Sequence, residues 1–190
     1  MTPAEVPVVN IANILTVVRI AIVPVFLVAL FADDGHSTGW RITAWAWFAI
    51  AAVTDRVDGQ LARKYGLVTD FGKLADPIAD KALIGSALVG LSMLGDLPWW
   101  VTIVILTREV GVTALRFAVV RHHVIPAGRG GKLKTFVQTI AIGLYILPMP
   151  DWFDVVSVSL MGVAVLLTVV TGVDYLIQAV RIRIAVGRGT

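Results

Sequence analysis

Six predominantly apolar stretches follow one another along this chain with little between them, near 13–32, 41–62, 71–94, 98–120, 134–149 and 153–180. All but the shorter fifth approach the roughly 20 residues of helix that a bilayer core demands. Apolar residues make up 57% of the 190 residues and charged residues only 15%, against about 45–50% and about 25% in a soluble domain. A mean hydropathy of +0.85 agrees. Nothing in the chain alternates with the period of two that a membrane barrel needs, so the stretches predict helices, which satisfy their own backbone polar groups in lipid. The expectation is an all-α integral membrane protein with six transmembrane helices. No repeat, low-complexity segment or long linker divides it, so it reads as a single domain over 1–190. The N-terminus carries Glu5 and no basic run before an apolar core, which predicts no cleavable signal peptide. With no cysteine, disulfides, thiolate metal sites and cysteine nucleophiles are excluded.

The loops between the spans sort by charge. Arg63 and Lys64, the segment from Arg121 to Lys134, and the tail with Arg181, Arg183 and Arg188 are basic. Asp33, Asp34, Asp96, Asp151 and Asp154 mark the alternate loops as acidic. The positive-inside rule then puts both termini in the cytoplasm, and Trp40, Trp99, Trp100 and Trp152 all fall at the opposite boundary, as an aromatic belt does. The basic isoelectric point, near 9.5, is accounted for by topology and implies no nucleic-acid partner.

Against this oily background, "TDRVDGQLARKYGLVTDFGKLADPIADK" holds Asp55, Asp58, Asp76 and Asp80. Asp55, Asp58, Gly59 and Ala62 follow i, i+3, i+4, i+7 and share one helix face; Gly72, Asp76 and Asp80 recur every four residues and share another. An inner hairpin would bring the two acidic faces together, where four carboxylates repel unless cations neutralise them or protons bind. An oxygen-only donor set fits hard divalent cations, Mg2+ or Mn2+. The plainer alternative pairs the acids with Arg56, Lys73 and Lys81, or makes them a proton relay in a transporter. Four acids at paired helical spacing, with small residues interleaved, favour the metal site.

From Asp55 the stretch reads D-x-x-D-G-x-x-A-R, eight residues, then G-x-x-x-D-x-x-x-D. It resembles the signature of the CDP-alcohol phosphatidyltransferases with no departure at any fixed position. The resemblance implies that family's six-helix fold and the transfer of a phosphatidyl group from a CDP-linked lipid to an alcohol, releasing CMP. It implies two metal ions on Asp55, Asp58, Asp76 and Asp80, with Asp80 as general base. It also implies that Asp58, Gly59, Ala62, Arg63 and Gly72 bind the CDP-diacylglycerol, and that the protein is a homodimer. Metals in such a pair, about 3.5–4 Å apart, stabilise charge on the reacting diphosphate. A membrane site suits a donor whose acyl chains stay in lipid.

A second informative region is "TREVGVTALR", residues 107–116, followed by "GRGGKLKTFVQ", residues 128–138. Arg108 and Arg116 lie two helical turns apart, roughly on one face. Arg108 sits inside an apolar helix, where a charge is costly and marks function; pairing with the adjacent Glu109 is expected to be awkward. With Lys132, Lys134, Thr135 and Gln138, these cations point to an acceptor that is itself a phosphate. "RE…ALR", "GKxKTxxQ", "DPIADK" and "NIANILTVVRI" resemble the bacterial phosphatidylglycerophosphate synthases, the branch whose acceptor is glycerol 3-phosphate, with Ala12 where proline is usual. That resemblance implies a multi-pass protein of the bacterial cell membrane with its active site facing the cytoplasm. Asn13, Thr16 and Arg19 are supporting candidates, with Asn13 and Thr16 equally placed to cap a helix. Rival readings are phosphatidylglycerol (giving cardiolipin) or an inositol phosphate as acceptor, an aspartate-rich prenyltransferase, and a transporter. His36, His122 and His123 lack ligand spacing, and Asp174 is expected to meet the basic inner end.

Overall fold

The computed structural model describes residues 10–65, 69–120 and 129–187; Gly59 and the side chains of Asp58, Ala62, Arg63, Asp76, Arg116 and Arg129 lie outside the described residues. Helices joined by short turns, with no strand, make up the described residues: α1 (Ile11–Phe31), α2 (Thr38–Tyr65), α3 (Asp70–Met93), α4 (Trp99–Val120), α5 (Arg129–Ile146) and α6 (Asp154–Gly187). Each apolar span of the sequence therefore has its helix. The largest differences are at basic ends, where α5 begins at Arg129 rather than 134 and α6 continues past 180 to Gly187. Lys and Arg end an apolar span but are good helix formers, so the backbone carries on beyond the oily stretch.

Local chemistry sets the ends. Asn10 caps α1, its side chain accepting from the Asn13 backbone N–H at 3.0 Å, so the cap is neither Asn13 nor Thr16. Both are buried within α1 instead. Thr69 caps α3 in the same way through Gly72 N–H at 3.1 Å. At the far end of α3 the chain turns at Gly95, whose φ of +83° is costly for a residue with a Cβ. Asp96 N–H returns to Leu91 C=O at 3.0 Å, satisfying a terminal carbonyl.

The chain forms two compact units, Met1–Asp96 with Tyr145–Pro148, and Leu97–Leu144 with Met149–Thr190. In the first, α1 packs on α2 and α3. Its buried stripe runs Asn13, Thr16, Arg19, Ile22, Phe26 and Ala29, a three-to-four-residue spacing that is polar at the start and apolar beyond. Phe26 meets Phe48 of α2 with ring centroids 5.9 Å apart. Gly90 lets α1 and α3 approach, since a Cβ there would lie 2.7 Å from Leu30 Cδ2. Gly90 is thus buried against α1, while Gly85 and Ser86 on the same helix are half-buried. In the second unit α4 packs on α6. The α6 stripe is Ser157, Met161, Ala164, Thr168 and Tyr175, and buried Lys134, Gln138, Ala141 and Ile142 line one face of α5.

Among the described residues, Asn13–Gly35 and Asp151–Gln178 are long and apolar enough to cross a membrane, with only 33% and 22% of their windows buried. A soluble core helix would be mostly buried, so these helices expose oil. Their exposed Val17, Val28, Val155 and Leu166 suit lipid, and the chain is a membrane protein. Trp40, Trp99, Trp100 and Trp152 are exposed as well.

Candidate active site

The acidic motif begins on the last turns of α2 and ends within α3. Arg19, wholly buried on α1, donates from Nη1 to Asp55 Oδ1 at 2.5 Å. A guanidinium cannot shed its proton, and burial without an anion is prohibitive, so Asp55 answers a need of the fold as well as of chemistry. Asp55 itself stays 37% exposed, open to a further ligand. Its partner is thus Arg19, 36 residues earlier. Asp80 is half-buried and Gly72 buried, both on α3. Asn13 Nδ2 donates to Thr69 Oγ1 at 2.8 Å, which joins the start of α1 to the cap of the helix carrying Asp76 and Asp80.

The described residues gather no group of three His, Asp or Glu side chains; the Asp58 and Asp76 carboxylates lie outside that set. The donor chemistry fits a hard divalent cation. Asp55 is an accessible carboxylate held in place by a buried cation, and the motif offers oxygen donors alone.

A second cluster lies in the other unit. Arg108 donates from Nη1 to Glu109 Oε1 at 3.2 Å and from Nη2 to Thr171 Oγ1 of α6 at 2.8 Å. Its guanidinium carbon stands 5.7 Å from the centroid of the Tyr175 ring. Lys134 Nζ bonds the same Glu109 oxygen. The pairing of Arg108 with its neighbour, expected to be awkward, is made; both side chains are long enough to bend together across the roughly 100° that separates adjacent helical residues. Two cations thus share one carboxylate, with the three side chains 13%, 21% and 3% exposed in the order Arg108, Glu109, Lys134. Arg108 Nε and Gln138 Oε1 are buried without a hydrogen-bond partner.

The other residues of that set fall differently. Lys132 and Thr135 are exposed, and the Thr135 hydroxyl donates to Gly131 C=O in its own helix at 3.1 Å. Asp174, expected to meet the basic inner end, is exposed and accepts from Gln178 at 2.8 Å. His36 is exposed; His122 and His123 lie outside the described residues. Sequence reading missed Thr171 and Tyr175, which carry no motif. Their only signal was polar residues recurring on the inward stripe of an apolar helix.

The CDP-alcohol phosphatidyltransferase family model matches residues 9–170, spanning both units. A Mycobacterium tuberculosis protein named probable phosphatidylglycerophosphate synthase is 63% identical over 172 residues, covering 90% of this chain and 82% of its own. A Bacillus subtilis protein named CDP-diacylglycerol–glycerol-3-phosphate 3-phosphatidyltransferase is 38% identical over 181 residues, 87% of this chain and 93% of its own. One of the same name from Rickettsia felis is 36% identical over 171 residues, again 87% and 93%. With the motif unbroken and the match running through most of its length, the chain belongs to the CDP-alcohol phosphatidyltransferase family.

Proposed function

We propose that this chain transfers the phosphatidyl group of CDP-diacylglycerol to glycerol 3-phosphate, giving phosphatidylglycerophosphate and CMP. The observation that carries the choice of acceptor is the cluster on α4 and α5, where half-buried Arg108 and buried Lys134 share a single carboxylate. The cluster sets two cations against one carboxylate, and Arg108 Nε has no hydrogen-bond partner, which suits a phosphate dianion. A lipid alcohol would have less need of it. The names of the relatives support the same acceptor, and the family match across both units supports one catalytic domain over residues 1–190.

The reaction is an in-line displacement. The hydroxyl oxygen of glycerol 3-phosphate bonds to the phosphatidyl phosphorus, the bond to the CMP oxygen breaks, and CMP leaves with the electron pair. Asp80 takes the hydroxyl proton. Asp55, Asp58, Asp76 and Asp80 would hold two divalent cations, Mg2+ or Mn2+, which when bound neutralise charge on the diphosphate. Arg19 fixes the Asp55 carboxylate from the protein side. Asp58, Gly59, Ala62, Arg63 and Gly72 take the nucleotide end of the donor. Arg108, Lys134 and Gln138, with Arg116 two turns further along α4, take the acceptor phosphate; exposed Lys132 and Thr135 stand at the edge of this role.

All six helices cross the bacterial cell membrane in this proposal, with both termini and the active site on the cytoplasmic side. The alternation of basic and acidic loops supports that topology, as do the exposed tryptophans near the acidic ends. The protein works as a homodimer; a mass measurement in nanodiscs finding only monomer would refute that part. For the activity, the deciding assay incubates purified protein with CDP-diacylglycerol, Mg2+ and one acceptor at a time. CMP release that depends on glycerol 3-phosphate is the expected result. Release with phosphatidylglycerol or an inositol phosphate in its place would overturn the reading.

A further inference from the structure

We propose that α6 determines acceptor affinity without a motif of its own: Thr171, Gly172 and Tyr175 are positioning residues that hold the Arg108 guanidinium for the acceptor phosphate. The inference rests on the assignment of Arg108 to that phosphate. Arginine has several rotatable bonds, so a free guanidinium loses much entropy on binding an anion, and fixing it beforehand lowers that loss.

Three contacts remove its freedom. Thr171 sits one turn after Leu167 on α6, and its hydroxyl proton is given to Leu167 C=O at 2.7 Å. The oxygen therefore turns a lone pair outward and accepts from Arg108 Nη2 at 2.8 Å. Glu109 binds Nη1 at 3.2 Å. Tyr175, one turn beyond Thr171 and buried, presents its ring to the guanidinium at 5.7 Å, a cation–π contact that does not consume an N–H. Both terminal nitrogens and one face are thus engaged, while Nε–H is buried with no acceptor. A buried donor without a partner is uncommon and signals a missing ligand or a function.

Gly172 lets the arginine stem lie close against α6. A Cβ at position 172 would lie 3.0 Å from Arg108 Cγ and 3.8 Å from Nε, so the stem that sets the guanidinium would have to shift. Glycine costs helix stability relative to alanine. Its presence on the inward stripe of α6, between Thr168 and Tyr175, is explained by the arginine it accommodates.

Steady-state CMP release by the full chain in proteoliposomes, varying each substrate with the other saturating, tests the cradle. Thr171→Val keeps the side-chain shape and deletes the acceptor. It is expected to raise KM for glycerol 3-phosphate roughly tenfold, the effect of a hydrogen bond to a charged group, and to leave KM for CDP-diacylglycerol within about twofold. Thr171→Ser should restore the wild-type value, and Gly172→Ala should move the same KM upward. Arg108→Ala separates the two layers of the argument. If it raises KM for glycerol 3-phosphate while Thr171→Val and Gly172→Ala leave it unchanged, the cradle is refuted and the acceptor assignment stands. If Arg108→Ala itself changes nothing, both fall. If Thr171→Val lowers kcat and moves both KM values alike, and Thr171→Ser fails to restore them, the contact is merely structural and the proposal is overturned.

Discussion

Two regions of this molecule use one device in opposite proportions. At the start of α1, a fully buried arginine, Arg19, is matched by an aspartate that remains more than a third exposed. On α4 and α5 two largely buried cations, Arg108 and Lys134, divide one glutamate between them. Each arrangement keeps a buried charge from standing alone, which membrane and protein interiors demand. What is left over differs. The first region presents an anchored carboxylate that can take a cation; the second retains donors that can take an anion. Under the proposed reaction the first would serve metal and diphosphate and the second the acceptor phosphate.

The largest test of the contrast removes the acids. Asp55→Asn, Asp58→Asn and Asp76→Asn should each nearly abolish CMP release, because a site built on anionic ligands loses charge that an amide does not replace. Titration with Mg2+ should show weakened or lost activation. Full turnover by all three variants at ordinary Mg2+ would sink the metal assignment. The three should still differ in stability. Asp55→Asn also takes one anion from the wholly buried Arg19, a loss of about 3–5 kcal/mol for a fully buried pair and less here, since Asp55 is partly open to solvent. A thermal melt should place Asp55→Asn lowest, and Arg19→Met combined with it should recover part of the loss. Equal melting temperatures for Asp55→Asn and wild type would mean that the ion pair contributes nothing to the fold.

Next in size is the split between substrates. Arg116→Ala should raise KM for glycerol 3-phosphate roughly tenfold to hundredfold, the range of a charge-assisted bond of about 1.5–3 kcal/mol, with little change for CDP-diacylglycerol. Arg63→Ala should show the reverse bias, because it belongs with the nucleotide. If both variants moved both KM values together, the division of labour between the two regions would be wrong.

The parts legible in the sequence were those written along one helix. Apolar length located all six helices, and the acidic motif falls on two of them, α2 and α3. A face, however, does not name what it meets. Arg19 was only a supporting candidate in the sequence, yet it bonds an aspartate 36 residues away, brought to it by the packing of α1 on α2. Likewise Arg108 was conspicuous, while Thr171, Gly172 and Tyr175 look like ordinary helix residues until α6 lies against α4. Caps were legible by type but not by position: Asn10, Asn13 and Thr16 can all accept a backbone N–H, and only the place where the helix begins decides among them.

The smallest expected effect distinguishes two lysines that the sequence could not separate. Lys134 is 3% exposed and bound to Glu109, whereas Lys132 is exposed on the same helix. Replacing Lys134 by alanine strips a largely buried carboxylate of one of its two cations and removes a donor from the acceptor cluster. It should lower thermal stability and raise KM for glycerol 3-phosphate. Lys132→Ala takes away a solvated charge whose screened influence is worth about 0–1 kcal/mol, so KM should shift by no more than about fivefold and melting should hold. Arg129→Ala, assigned to topology alone, should behave like Lys132→Ala. The comparison would be broken by Lys132→Ala proving the more damaging of the two lysine variants, since the acceptor phosphate would then be met at the exposed face of α5 rather than in the buried cluster around Glu109.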